Sequence, residues 1–229
     1  MRTRIKYFLQ RLSFLVTRFA LRTKKNKVIL DLGAFDGSSV VKFQKMYGRD
    51  FRNFKYYCFE ANPYLIKDLK EVTEVFSDTN IYVINKAVWN KNERRMFYLS
   101  NVKSFGSSLM ANKTSGNLDL DNPALVEALD FPSWIAQNLQ KSQYVILKMD
   151  IEGAEYTVLQ SMLTSGSMEF INELYIEFHH HKLADFDLDI HHHLVSKLKS
   201  LRKIRFHEEF QAINKRQMKE FRDRRILES

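Results

Sequence analysis

The chain has little of several things. Among its 229 residues there is one cysteine, with three prolines and seven glycines. A lone Cys58 excludes an internal disulfide framework and any zinc site built on a cysteine cluster. It also points to a reducing, cytoplasmic setting. So little Pro and Gly excludes collagen-like and low-complexity readings. No apolar run reaches the roughly 20 residues of a membrane span, and Arg11 and Arg18 interrupt any signal-peptide core. Acidic residues are absent from the first 27 positions, which carry nine basic ones.

What is present supports one ordinary folded domain. Apolar residues make up 45% and aromatics 13%, enough for a full core and too much for global disorder. The net charge of +9 would alone suggest nucleic acid or an anionic membrane. Its distribution says otherwise. Residues 28–201 carry 18 basic and 22 acidic groups, and the stretch from Arg202 onward carries 9 and 5. The excess belongs to the two ends. The expected division is a basic leader over 1–26, a folded domain over 27–214 and a basic tail over 215–229.

In the leader, Ile5, Phe8, Leu9, Leu12, Leu15, Val16 and Phe19 follow helical spacing, with arginines elsewhere on the wheel. Such a basic amphipathic helix either packs on the domain or lies on an anionic membrane through residues 1–25. Beyond it, apolar runs alternate with helical stretches. Val28-Ile29-Leu30, Tyr56-Tyr57-Cys58-Phe59, Ile81-Tyr82-Val83-Ile84, Met96 to Leu99, Tyr144 to Met149 and Leu174 to Phe178 read as strands, with a last one near Ile204 to Phe210. The class is α/β, a doubly wound and mostly parallel sheet. Residues 100–122, rich in Ser, Asn and Gly, read as a long functional loop, and Ser104 to Ser108 as part of a lid over a binding site.

The first strand runs into Asp31-Leu32-Gly33-Ala34-Phe35-Asp36-Gly37. Glycines at a strand-to-helix turn let backbone approach a ligand. The G-x-x-x-G spacing is neither the dinucleotide fingerprint nor a P-loop. An acidic residue at this strand end suits a ligand bearing an amine. Glu60, at the end of the second strand, suits ribose hydroxyls. Lys148, Asp150 and Glu152 alternate at another strand end, so an extended chain would aim all three one way.

These segments resemble the FkbM-type S-adenosylmethionine-dependent methyltransferases from about Val28 to Phe178. The resemblance rests on the glycine turn, on Phe59-Glu60-Ala61-Asn62-Pro63, on Asn85-Lys86-Ala87-Val88, on Ala128-Leu129-Asp130 with Trp134-Ile135, and above all on Leu147-Lys148-Met149-Asp150-Ile151-Glu152-Gly153-Ala154-Glu155, which is similar to the family's K-x-D-x-E-G-x-E signature. It implies a Rossmann-like class I methyltransferase fold, usually of seven strands with the last antiparallel. It implies S-adenosyl-L-methionine as donor and a hydroxyl acceptor on a sugar, glycan or small metabolite. It implies that Asp31, Gly33, Ala34 and Gly37 line the methionine half, that Glu60 and Ala61 hold ribose and adenine, that Asn85, Ala87 and Val88 flank adenine, and that Asp150 sits at the mouth of the donor site.

Methyl transfer to a hydroxyl needs in-line approach and loss of a proton. Asp150 is expected to position the acceptor, with His179 or Lys148 managing the proton. Glu152 and Glu177 are further candidates, and a Lys148–Glu152 ion pair is the structural alternative. Six of the seven histidines fall in the triplets 179–181 and 191–193. Consecutive residues point different ways, so a triplet supplies at most one or two ligands. A divalent metal is compatible with the chemistry, but no metal ligand is assigned. An RNA methyltransferase and a non-catalytic, membrane-docked nucleotide-binding protein are the rival readings. The near-neutral body argues against nucleic acid as a partner.

Overall fold

A computed structural model describes residues 26–101, 106–208, 210, 212 and 215–226. The expected leader helix lies outside the described residues.

Two strands carry the centre of the fold. Lys27–Leu32 (β1) and Tyr144–Met149 (β7) are buried at every position. A parallel strand covered on both faces is a near-continuous apolar run, and these two are so apart from Lys27 and Asp31 in β1 and Lys148 in β7. Around them lie Phe54–Phe59 (β2), Asn80–Ile84 (β3), Glu173–Ile176 (β8) and Arg205–His207 (β9). The sheet order is β3-β2-β1-β7-β8-β9, and every pairing in it is parallel.

The pleat divides the core in two. Val28, Leu30 and Leu32 of β1 face one cluster with Val145, Leu147 and Met149 of β7. Ile29 and Ile146 face the other. The first cluster is closed by Phe131–Asn138 (α3), Glu155–Ser165 (α4) and Leu188–Ser200 (α5), through Ile135, Leu159 and Leu194. The second is closed by Ser38–Tyr47 (α1) and Ile66–Glu74 (α2), through Phe43 and Leu69. This is the doubly wound arrangement expected from the strand–helix alternation.

Three features differ from expectation. The last strand, β9, runs parallel to β8, so no antiparallel seventh strand closes the sheet among the described residues. A separate three-stranded sheet forms from Ala87–Trp89 (β4), Glu93–Phe97 (β5) and Ala124–Asp130 (β6), in the order β4-β6-β5. α3 starts directly after β6 at Phe131, capped by Asp130, whose carboxylate accepts from the Ser133 amide at 3.0 Å. Finally, Lys215–Ile226 forms a helix (α6), whose Met218 is buried and whose Phe221 ring stacks on Phe76 at 5.7 Å.

Candidate active site

All strands of the main sheet point one way, so their carboxyl ends share one edge, where ligands bind in such folds. A cleft of about 440 Å³ opens there. Gly33, Ala34 and Phe35 after β1, Glu60 and Ala61 after β2, Ala87 and Val88 of β4, and Asp150 to Glu152 after β7 line it.

The glycine turn is stitched to the neighbouring strand. The amides of Gly33 and Ala34 both donate to the Phe59 carbonyl at 3.0 Å. Gly33 has φ +75, and a Cβ there would stand 1.9 Å from the Asp150 carbonyl oxygen. Only glycine allows β1 and β7 to run off the sheet this close together. Phe35 follows at φ 49, and its amide donates to Glu60 Oε2 at 2.8 Å. Glu60 Oε1 accepts from the Asn62 amide, also at 2.8 Å. Each carboxylate oxygen keeps a second acceptor site for a ligand hydroxyl. Burial pushes the Glu60 carboxyl above its usual range, against the pull of those two amides.

A buried ion pair runs from Lys148, which lines the cleft, to Asp31 behind it. Lys148 Nζ stands 3.2 Å from Asp31 Oδ1 and donates to the Gly33 carbonyl at 2.7 Å. Asp31 Oδ2 accepts from Tyr56 Oη at 2.8 Å and from the Ser39 hydroxyl. Burial alone would lower the Lys148 pKa, but Asp31 and then Asp150 outweigh it and raise it.

The signature loop turns sharply after β7. Glu152 takes a left-handed conformation at φ 52 and Gly153 follows at φ 111, so Glu152 does not continue the alternation of Lys148 and Asp150. The Ser108 hydroxyl donates to the Glu152 carbonyl at 2.6 Å, and Lys113 and Lys182 pair with its carboxylate at 3.0 and 3.1 Å. Against burial, which would raise it, His179 and the two lysines hold the Glu152 carboxyl low. Glu155, fully buried at the start of α4, accepts from the amides of Ile151 and Gly153. Its other contact is His179 Nδ1 at 2.7 Å. Burial works against the imidazolium, yet Glu155 and Glu177 prevail and push the His179 pKa up to about 10.

The sequence profile of the Methyltransferase FkbM domain matches residues 31–205. The chain belongs to the FkbM methyltransferase family. Among solved structures it is similar to Methyltransferase FkbM from Methylobacillus flagellatus KT, at 18% identity and a TM-score of 0.47. That match covers 76% of this chain and 38% of the other. No curated protein matches this chain.

In this FkbM-family chain the expected donor residues divide into wall and scaffold. Gly33, Ala34, Glu60, Ala61, Ala87, Val88 and Asp150 line the cleft. Asp31 does not: it is fully buried and engaged with Lys148, Tyr56 and Ser39. Gly37 packs against Val72, where a Cβ would stand 2.7 Å away. Asn85 holds the turn after β2, donating to the carbonyls of Glu60 and Ala61 at 2.8 and 3.3 Å. Lys148 pairs with Asp31 and Asp150, not with Glu152. His179 lies beside the cleft, with Nε2 at 3.6 Å from Asp150 Oδ1. Of the lid segment, Gly106 and Ser107 line the cleft, while Ser104 and Phe105 lie outside the described residues.

Sequence reasoning missed Phe35, Phe97, Lys113 and Met218. Phe35 carried a signal, since it sits between the two glycines of the turn. Lys113 lies in the long loop 100–122 and reaches the site only through Glu152, and Met218 carried no signal, because only the fold brings the C-terminal helix to the cleft.

Proposed function

We propose that the chain transfers a methyl group from S-adenosyl-L-methionine to a hydroxyl of a sugar, glycan or small metabolite. The carrying observation is the cleft whose wall holds Gly33, Ala34, Glu60 and Ala61 at the ends of β1 and β2 and Asp150 at the end of β7. The cleft is of a size that takes a nucleoside-sized ligand, and the buried Glu60 carboxylate with spare acceptor sites suits ribose hydroxyls. When bound, S-adenosylmethionine supplies an electrophilic methyl on a sulfonium. The Gly33 turn and Glu60 hold the donor side. Asp150 accepts a hydrogen bond from the acceptor hydroxyl. Its pKa is raised, first by burial and against Lys148 and His179, which strengthens it as a base. The raised pKa of Lys148 keeps its proton on at neutral pH, so Asp150 takes the hydroxyl proton while Lys148 positions Asp31 and the turn.

The test is calorimetry with S-adenosylhomocysteine, followed by mass spectrometry of glycans and metabolites incubated with isotopically labelled donor. One site, weakened by Glu60→Gln, supports the reading, and absence of binding removes it. Nucleic acid is not the proposed acceptor, because residues 28–201 are net acidic. No helix among the described residues is long and apolar enough to cross a membrane. Peripheral docking through residues 1–25 is part of the proposal, tested by liposome co-sedimentation with and without that segment.

A further inference from the structure

The His179 ring is 1% exposed, and its two nitrogens are treated differently. Nδ1 is fixed by Glu155 at 2.7 Å. Nε2 is buried and makes no hydrogen bond among the described residues. It stands instead 3.5 Å from Glu177 Oε1, 3.6 Å from Asp150 Oδ1 and 3.7 Å from Glu152 Oε2. One atom of each of Asp150, Glu152 and His179 falls within 4.8 Å of the others.

Three near-equal separations need a reason. A proton shared with one carboxylate would draw that pair to about 2.8 Å and leave the others longer. Ligands about 2.1 Å from a common ion stand roughly 3 to 3.5 Å apart, according to whether the ion is octahedral or tetrahedral. The three separations from Nε2 are close to the tetrahedral figure, and the ligand atoms of Asp150, Glu152 and His179 all lie within 4.8 Å of one another. Charge points the same way. Four carboxylates (Asp150, Glu152, Glu155 and Glu177) surround the ring. Against them stand Lys113 and Lys182, both on Glu152, and Lys148, which is shared with Asp31. The Glu155–His179 contact is also the arrangement that fixes the tautomer of a metal-bound histidine and turns its second nitrogen toward the ion.

We propose that Asp150, Glu152 and His179, with Glu177 at the rim, form a divalent-cation site. Carboxylate oxygens with one imidazole suit Mn2+, or Mg2+ in its place. The ion replaces the proton on Nε2. Asp150 and Glu152 line the cleft, so an ion held by them is within reach of an acceptor hydroxyl, whose oxygen it would bind and whose pKa it would lower. That role rests on the methyl-transfer reading, whereas binding of the ion does not.

The full chain, stripped with EDTA and dialysed, is titrated with Mn2+ while the electron paramagnetic resonance signal of the free ion is recorded. The expected result is loss of one equivalent of signal per chain. Glu152→Gln and His179→Ala should each weaken binding by at least tenfold, and Glu155→Gln by roughly 10- to 100-fold through loss of orientation. Should His179→Ala fail to fold by circular dichroism, Glu152→Gln, whose side chain is 21% exposed, carries the comparison. No signal loss, or binding unchanged in Glu152→Gln, overturns the proposal. Calorimetry with S-adenosylhomocysteine on the same preparation separates the two readings. Mn2+ binding without it leaves the cation site standing and removes the donor site.

Discussion

Asp31 and Lys148 lie directly across from each other on adjacent parallel strands, their charged atoms 3.2 Å apart and both side chains almost wholly excluded from water. The pair links the two strands whose ends form the cleft, and Lys148 passes that link on to the Gly33 carbonyl. Buried ion pairs give little net stability, but removing one partner strands the other.

Lys148→Met should therefore destabilise the fold by about 3–5 kcal/mol. Adding Asp31→Asn should restore part of the loss, because the stranded charge is gone. Urea unfolding of the two single variants and the double variant measures the coupling. Additive losses would contradict it.

Gly33→Ala should be among the most damaging single changes. The new methyl would meet the Asp150 carbonyl oxygen at 1.9 Å, with the backbone at φ +75. Left-handed strain alone costs about 1–3 kcal/mol in a non-glycine residue, and the clash pushes β1 and β7 apart. A lower thermal midpoint and loss of S-adenosylhomocysteine binding are expected together.

Glu60→Gln tests the other wall. The carboxylate accepts from the Phe35 and Asn62 amides with separate oxygens. An amide side chain has one acceptor oxygen and sets an N–H against the second donor. Leaving that buried donor unpaired costs about 1–3 kcal/mol. Calorimetry should show S-adenosylhomocysteine binding weakened by tenfold or more, and chemical unfolding should give the stability loss.

A pH dependence follows from His207, stacked on Tyr175 at 4.3 Å. Burial and then Arg205 lower its pKa, against Glu173. A histidine depressed in the folded state is protonated first in the unfolded one, so stability is fully present above about pH 6.5 and falls as the pH drops below it. His207→Phe keeps the stacking without the titration. The gap in urea midpoint between pH 7.5 and 5.5 should narrow in that variant.

The main sheet was legible because its central strands are short apolar runs, each ending in a polar or glycine signal. β6 was not: its exposed and buried residues alternate imperfectly, and its partners in β4 and β5 lie 27 to 41 positions earlier. The parallel direction of β9 was equally invisible, since three half-buried residues carry no direction of their own. The signature acids were expected to share one strand face. Glu152 leaves that pattern because the chain turns left-handed there, clamped by Ser108 from the long loop.

By itself the sequence determined the strand-and-helix class, the glycine turn, and which acidic residues end strands, because those depend on local apolar periodicity and on glycine's missing side chain. The tertiary structure decided which of those acids face the cleft. Asp31 turns to the buried side because the pleat sets it with Tyr56 and Lys148. It also brought His179, just beyond β8, to Glu155 at the start of α4 and Asp150 at the end of β7, 24 and 29 positions back along the chain. Strand order, not spacing along the chain, sets that distance, because neighbours in a parallel sheet are fixed by backbone hydrogen bonds between segments that a whole helix separates.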